Sequence, residues 1–306
     1  MSSKFVPENE DMKCAVNKSF EGNSCYSLES LCRMASAWNI KCSKAGRDDI
    51  IVIKESKPYL VEQLTDRLKD VCNDQLCWLT QDFIRALNDA EINDHTFLPK
   101  ISQGRFTWLN TTNIKESMEQ HEKKHTDFKF LGCVPIDFDE LPECNIRNIN
   151  FDKLYIQGIR KLGIIFNLDE HWQRGSHWVG MYANLKKNQV YFFDSCGKKP
   201  VKRIRNLVNR MATWCYYRNI KRSREELELS SIEDSFMDKK KNFIEKAIKS
   251  IKYNDIVHQK KDSECGVYSI NFIRRMLNGE TFEDICNNPT DDDQMNECRK
   301  IYFRFK

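Results

Sequence analysis

No apolar run in the 306-residue sequence approaches the roughly 20 residues of a membrane-spanning helix. The first residues, Met1 to Asp11, lack the apolar heart of a signal peptide. A strong net charge is missing as well. Lys and Arg number 49 against 45 Asp and Glu, so a chain with 31% charged residues carries only +4. That balance does not force a nucleic-acid partner, although one stays possible. None of the 13 cysteines forms a Cys-x-x-Cys pair, which argues against a metal knuckle. An odd number of scattered cysteines without an export signal reads as free thiols in a reducing compartment.

What is there suffices for a sizeable core: 40% of residues are hydrophobic. Residues 1–73 read as an α-rich N-terminal arm, and 74–306 as the core domain. Ser24 can cap a helix reaching about Trp38, with Leu28, Leu31, Met34 and Ala35 on one face. Asp49 to Ile53 is a short β-branched run, and 59–73 look helical. Residues 75–90 form a compact helix candidate with Leu79, Phe83, Ile84 and Leu87 as its buried stripe and Trp78 at its start. Residues 221–250 are charge-rich and read as an insertion.

The clearest sheet lies in 161–194. Leu162–Leu168, His177–Ala183 and Val190–Asp194 read as strands, the last two joined by a hairpin loop at 184–189. Antiparallel pairing around that loop sets position 177 opposite roughly 194–196, which makes His177 and Asp194 neighbours at the open end of the hairpin. Pro200 to Tyr217 reads as an amphipathic helix with Ile204, Leu207, Val208 and Met211 inward. Its basic face is either simply solvated or a site for an acidic partner.

A polar loop at 258–264 leads into Cys265-Gly266, where an amphipathic helix begins. Val267, Ile270, Ile273, Met276 and Leu277 recur at helical spacing, and Gly279 stands where a C-terminal cap belongs. Cys265 therefore sits at a helix N-terminus, where unpaired N–H groups and the positive end of the helix dipole favour a thiolate. It is a candidate nucleophile, or one more small buried hydrophobe. A thiol nucleophile needs an imidazole partner, a group to orient that imidazole, and donors for an oxyanion. His177, Asp194 and the Gln259 amide can fill these roles, with the Cys265 N–H as second donor. Another motif competes. His121-Glu122-Lys123-Lys124-His125 matches His-Glu-x-x-His of zinc peptidases. Its flanks, Lys115, Glu116, Glu119, Lys123, Lys124 and Asp127, read instead as a solvated charged helix, and no third ligand is signalled nearby. No metal and no cofactor are expected.

The boxes Ser176-His177-Trp178-Val179, Tyr191-Phe192-Phe193-Asp194-Ser195-Cys196-Gly197, His258-Gln259 and Asp262-Ser263-Glu264-Cys265-Gly266 resemble the His, Asp and Gln…Cys boxes of the Ulp1/adenain class of cysteine proteases. The order of the four residues and the 17-residue step from His177 to Asp194 are similar to that class. Val134–Phe138, Ile164–Asp169 and Met295…Arg299–Phe303 further resemble the polyprotein maturation proteases of large cytoplasmic DNA viruses, of the African swine fever virus kind. The resemblance covers about 75–306. It implies an α+β, papain-like core in which a helix carrying the nucleophile lies on a mixed sheet. It also implies cleavage after Gly-Gly in viral structural polyproteins, in the virion and the host cytoplasm, or alternatively removal of ubiquitin-like modifiers. A narrow tunnel with aromatic walls admits only residues without a Cβ, so Gly-Gly becomes a steric code. Trp178 is expected as one wall beside Gly266. Trp78, in a Trp-Leu box similar to that of desumoylating relatives, is expected as another. Those relatives often carry Asn-Asp after Trp-Leu, where this chain has Thr80-Gln81. Oligomeric state is not legible.

Overall fold

The structure is a computed structural model that describes residues 14–101, 104, 106–226, 246, 247 and 251–305. Beyond Glu226 the charged stretch expected as an insertion lies almost wholly outside the described residues. Two compact units divide the chain, one of residues 1–102 with 301–306 and one of 103–300.

The first unit is helical: α1 Leu28–Lys44, α2 Lys57–Leu68, and the single-turn α3 Gln75–Trp78, α4 Asp82–Arg85 and α5 Ala90–Asn93. The cap of α1 is Ser27, whose hydroxyl accepts from the Ser30 N–H, while Ser24 donates its hydroxyl to Gln75 Oε1. The Asp49–Ile53 run carries no strand. The one helix expected over 75–90 is broken into turns. Asp74 and Asp89 each cap a fresh start, and Asn88 sits in the left-handed region at φ 47°. These turns deliver Trp78, Phe83, Ile84 and Ile92 into one core with Leu31, Met34 and Trp38 of α1 and Leu60 and Leu64 of α2. Residues 75–97, beyond the boundary expected at 73, supply part of this unit's core. Residues 301–306 join it through Arg304, whose N–H donates to Pro99 O and whose carbonyl accepts from the Ile101 N–H. The expectation of free thiols is also corrected here: Cys14–Cys25 and Cys72–Cys77 are disulfides, and the remaining nine cysteines are free.

The second unit contains α6 Thr111–Lys124, β1 Phe128–Val134, α7 Phe151–Ile156, β2 Lys161–Asn167, β3 Trp178–Asn184, β4 Gln189–Phe193, α8 Lys202–Glu226, β5 Ile251–Tyr253, α9 Cys265–Leu277, α10 Phe282–Asn287 and α11 Asp292–Tyr302. Its five-stranded sheet runs β1-β2-β3-β4-β5, parallel at the two outer pairings and antiparallel at β2-β3 and β3-β4. This is the mixed sheet of the expected α+β fold. Strand alternation explains the layering. Leu162, Ile164 and Phe166, with Val179, Met181 and Ala183, face Ile204, Leu207, Val208 and Met211 of α8. The opposite parity carries α9: Phe193 stacks on Phe272 at 5.0 Å, and Gly163 and Gly180 face Ile273 and Phe272. A Cβ on Gly180 would stand 3.2 Å from the Phe272 ring and 3.5 Å from the Ser269 carbonyl, so glycine there lets α9 lie against β3.

The helix with the His-Glu-x-x-His motif is not a solvated one. α6 starts at a capping box between Asn110 and Asn113 and buries Ile114, Ser117, Met118 and His121. That stripe lies against β1 and α9. The charged residues around the motif occupy the other face, so their density masked a buried stripe.

Candidate active site

Three chain segments meet at the end of the sheet where β3 begins and β4 ends. The observed register, Gly180 opposite Phe193, extends outward to set 177 opposite 196. His177 thus stands just before β3 and Asp194 just after β4. His177 Nε2 lies 2.7 Å from Asp194 Oδ1, with Asp194 only 2% exposed. The Cys265 side chain interacts electrostatically with the same ring. With Nε2 on Asp194, Nδ1 is the nitrogen left for the thiol. Burial by itself would lower the His177 pKa, but the hydrogen bond to Asp194 and the charges of Asp194 and Cys265 outweigh it and carry it up to about 9. The imidazole is therefore a cation at neutral pH, as a thiolate–imidazolium pair requires.

Cys265 is the first residue of α9 and is 1% exposed. Its carbonyl accepts the Ser269 hydroxyl at 3.0 Å. A second thiol is close. The ligand atoms of His177, Asp194 and Cys196 fall within 4.8 Å of one another. Among the described residues this is the group of three with metal-ligating spacing, and His121 and His125 belong to none. Burial and the Asp194 charge push the Cys196 thiol up, away from the thiolate.

Asp194 is fixed from three sides. Oδ1 accepts the Cys196 N–H at 2.8 Å, its own N–H donates to Asn254 Oδ1 at 2.8 Å, and Asn254 Nδ2 donates to its carbonyl at 2.7 Å. Asn254 is 1% exposed and joins the site from the end of β5. No local pattern points to it, since the pairing of β4 with β5 spans 60 residues. Gln259 arrives from the same direction. The backbone N–H groups of His258 and Gln259 donate to the Ser195 carbonyl, and the Ser195 hydroxyl donates to Gln259 Oε1 at 2.7 Å. That bond turns the amide so that Nε2 is its donor end, with one N–H on the Lys261 carbonyl at 2.5 Å.

Gly266 and Trp178 lie side by side. Trp178 Nε1 donates to Leu109 O at 2.9 Å, and a Cβ on Gly266 would stand 3.1 Å from Leu109 and 3.3 Å from the Trp178 ring. A cleft beside them is lined by Trp108, Leu109, Pro135, Asp169, Arg174 and Trp178. Trp78 is placed elsewhere. It is 2% exposed in the core of the first unit, with its ring stacked on Tyr26 at 5.9 Å. Trp108, 42% exposed, lines the cleft together with Trp178, and sequence reasoning missed it. A signal was present: Trp108-Leu109-Asn110 repeats the Trp-Leu pattern, with the Asn that the 78–81 stretch lacks, directly before a helix.

Comparison with known proteins gives a consistent result. The model of the Ulp1 protease family, C-terminal catalytic domain, matches residues 161–304. A protein of Acanthamoeba polyphaga mimivirus, named a thiol protease, is 36% identical over 298 residues, covering 93% of this chain and 90% of that one. A protein of African swine fever virus, named a SUMO-1 cysteine protease, is 21% identical over 259 residues, covering 76% of this chain and 83% of the relative. The crystal structure of an African swine fever virus protease superposes with a TM-score of 0.60 at 18% identity, over 96% of each chain.

Proposed function

The chain belongs to the Ulp1 protease family of cysteine proteases, and from that premise we propose that it is an endopeptidase cleaving after Gly-Gly in viral structural polyproteins, with Cys265 as nucleophile. The observation that carries this reading is the His177–Asp194 hydrogen bond at the sheet end, with Cys265 at the buried start of α9 interacting electrostatically with the His177 ring. The Cys265 thiolate attacks the scissile carbonyl carbon, and the carbonyl oxygen becomes an oxyanion. The Cys265 N–H, at the positive end of α9, and Gln259 Nε2 are the donors for it. The His177 imidazolium passes its proton to the leaving amine as the C–N bond breaks, leaving a thioester on Cys265. Neutral His177 then takes a proton from water as the water attacks the thioester, and the thiolate returns. Asp194 holds the ring in the orientation both steps use.

The Gly-Gly preference is what the family resemblance implies; glycine at 266 lets the backbone beside Cys265 lie against Leu109 and the Trp178 ring, and Trp108 and Trp178 line the neighbouring cleft. The name of the African swine fever virus relative favours a second reading, release of a SUMO-like modifier. Peptides spanning Gly-Gly-x, the same peptides with Ala in place of either Gly, and a folded modifier fusion separate the two. Cleavage of the Gly-Gly peptide, lost with Ala, supports the endopeptidase. Cleavage of the fusion alone supports the deconjugase.

A further inference from the structure

The five residues between Gln259 and Cys265 form no regular element, yet they set the distance between the oxyanion amide and the nucleophile. One stripe of α11 holds them. Asp292, Asn296 and Arg299 stand at i, i+4 and i+7 and are 6%, 2% and 0% exposed. Asp292 Oδ2 accepts the Lys260 and Lys261 N–H groups at 2.8 and 3.0 Å. At the other end of the loop Arg299 Nε donates to Glu264 Oε2 at 2.8 Å. Its Nη2 donates to Glu264 Oε1 at 3.2 Å and to the Ser263 carbonyl at 3.0 Å. Asn296 Nδ2 and the Ser263 hydroxyl complete Glu264 Oε1 at 3.0 and 2.8 Å.

Glu264 is the N-cap residue of α9 and precedes Cys265, but its side chain caps no N–H of the helix. A buried carboxylate there has the wrong sign for a neighbouring thiolate, and a buried ion pair has no general stability advantage over an apolar pair. A purpose is needed, and the geometry supplies one. We propose that Arg299 is a positioning residue for peptide cleavage: its fork on Glu264 and Ser263 fixes the backbone entering Cys265 and cancels the Glu264 charge beside the thiolate. The proposal rests on Cys265 being the nucleophile. The other titratable groups that interact with that thiol are His177 and Cys196 at the sheet end, with Asp194 behind the His177 ring.

The test compares the acid limb of the kcat/KM–pH profile, and the rate of Cys265 alkylation by iodoacetamide at each pH, in wild type, Glu264→Gln, Arg299→Met and the double variant. Glu264→Gln leaves Arg299 unopposed and moves the acid limb to lower pH. Arg299→Met leaves the carboxylate unopposed and moves it to higher pH, with about tenfold less thiolate at a fixed pH on that limb. The double variant returns the limb to near the wild-type position while kcat stays reduced and KM is little changed. A merely structural role moves no limb in opposite directions. Should Arg299→Met fail to fold, the downward shift in Glu264→Gln still decides, because that variant keeps the arginine. An unshifted limb, or shifts of the same sign in both single variants, overturns the proposal. If alkylation mapped to Cys265 leaves cleavage intact, the nucleophile assignment fails instead, and the two failures are told apart.

Discussion

At His177 burial and ion pairing oppose each other, and ion pairing wins: the pKa rises to about 9 against an unfolded value near 6.5. A raised folded pKa fixes the sign. The stabilisation from this cation is complete below about 6.5 and is lost as pH rises through about 9. Activity should follow the same limb, holding through neutral pH and falling near 9. Asp194→Ala should draw that basic limb down toward 6.5 and lower kcat/KM by on the order of a hundredfold. A limb that stays near 9 in Asp194→Ala would show that Asp194 does not hold the ring. Residues of this kind were legible in the sequence where local rules reach them. The hairpin register put His177 by Asp194, and the helix pattern put Cys265 at an N-terminus. Asn254 and Arg299 were not legible, because their partners stand 60 and 35 residues away and no local periodicity records such pairings. Trp108 was legible in principle, but the same dipeptide at 78 drew the assignment.

Among the elements, α6 carries a penalty that its composition conceals. His121 is 1% exposed, and neither ring nitrogen has a hydrogen-bond partner among the described residues. Burial, then the charges of Arg274, His125 and Lys124, lower its pKa from 6.5 to about 3. The unfolded chain therefore takes up a proton that the folded one refuses, and stability is eroded as pH falls from about 6.5 toward 3. His121→Leu should remove most of that dependence. Urea midpoints at about pH 7 and about pH 4.5, on either side of the unfolded value, check it. An equal acid loss in both proteins would contradict it. The helix was expected, but its buried face was predictable from neither its charges nor its motif, since packing against β1 and α9 decides which face is buried. The opposite error occurred at 75–90, where an apolar stripe at helical spacing hid two Asp caps and a left-handed Asn88 that end each turn.

On the scale of the whole molecule each unit has its own core, and the disulfides belong to the first. The links close loops of sequence separation 11 and 5, which by chain entropy contribute about 2 to 3 kcal/mol each to that unit. Urea unfolding of the full chain with and without reductant should show the loss in a transition reported by Trp38 and Trp78, and coincident curves would count against it. The three central strands and the two helices on them were legible because strand alternation and helical spacing are local patterns, whereas the mixed sheet was an implication of the family resemblance. The extent of the first unit was not legible, since its core is assembled from α1, α2 and the turns after residue 73. Every step of the proposed cleavage passes through the Cys265 thiol. The most direct test exposes the protein to a peptide ending in Gly-Gly with a thiol-reactive C-terminus, then maps the adduct by mass spectrometry beside the cleavage assay. An adduct on Cys265, loss of cleavage in step with its formation, and an inactive but folded Cys265→Ala protein are the predicted results. A Cys265→Ala protein that still cleaves, or inactivation that tracks an adduct on another residue, would contradict it.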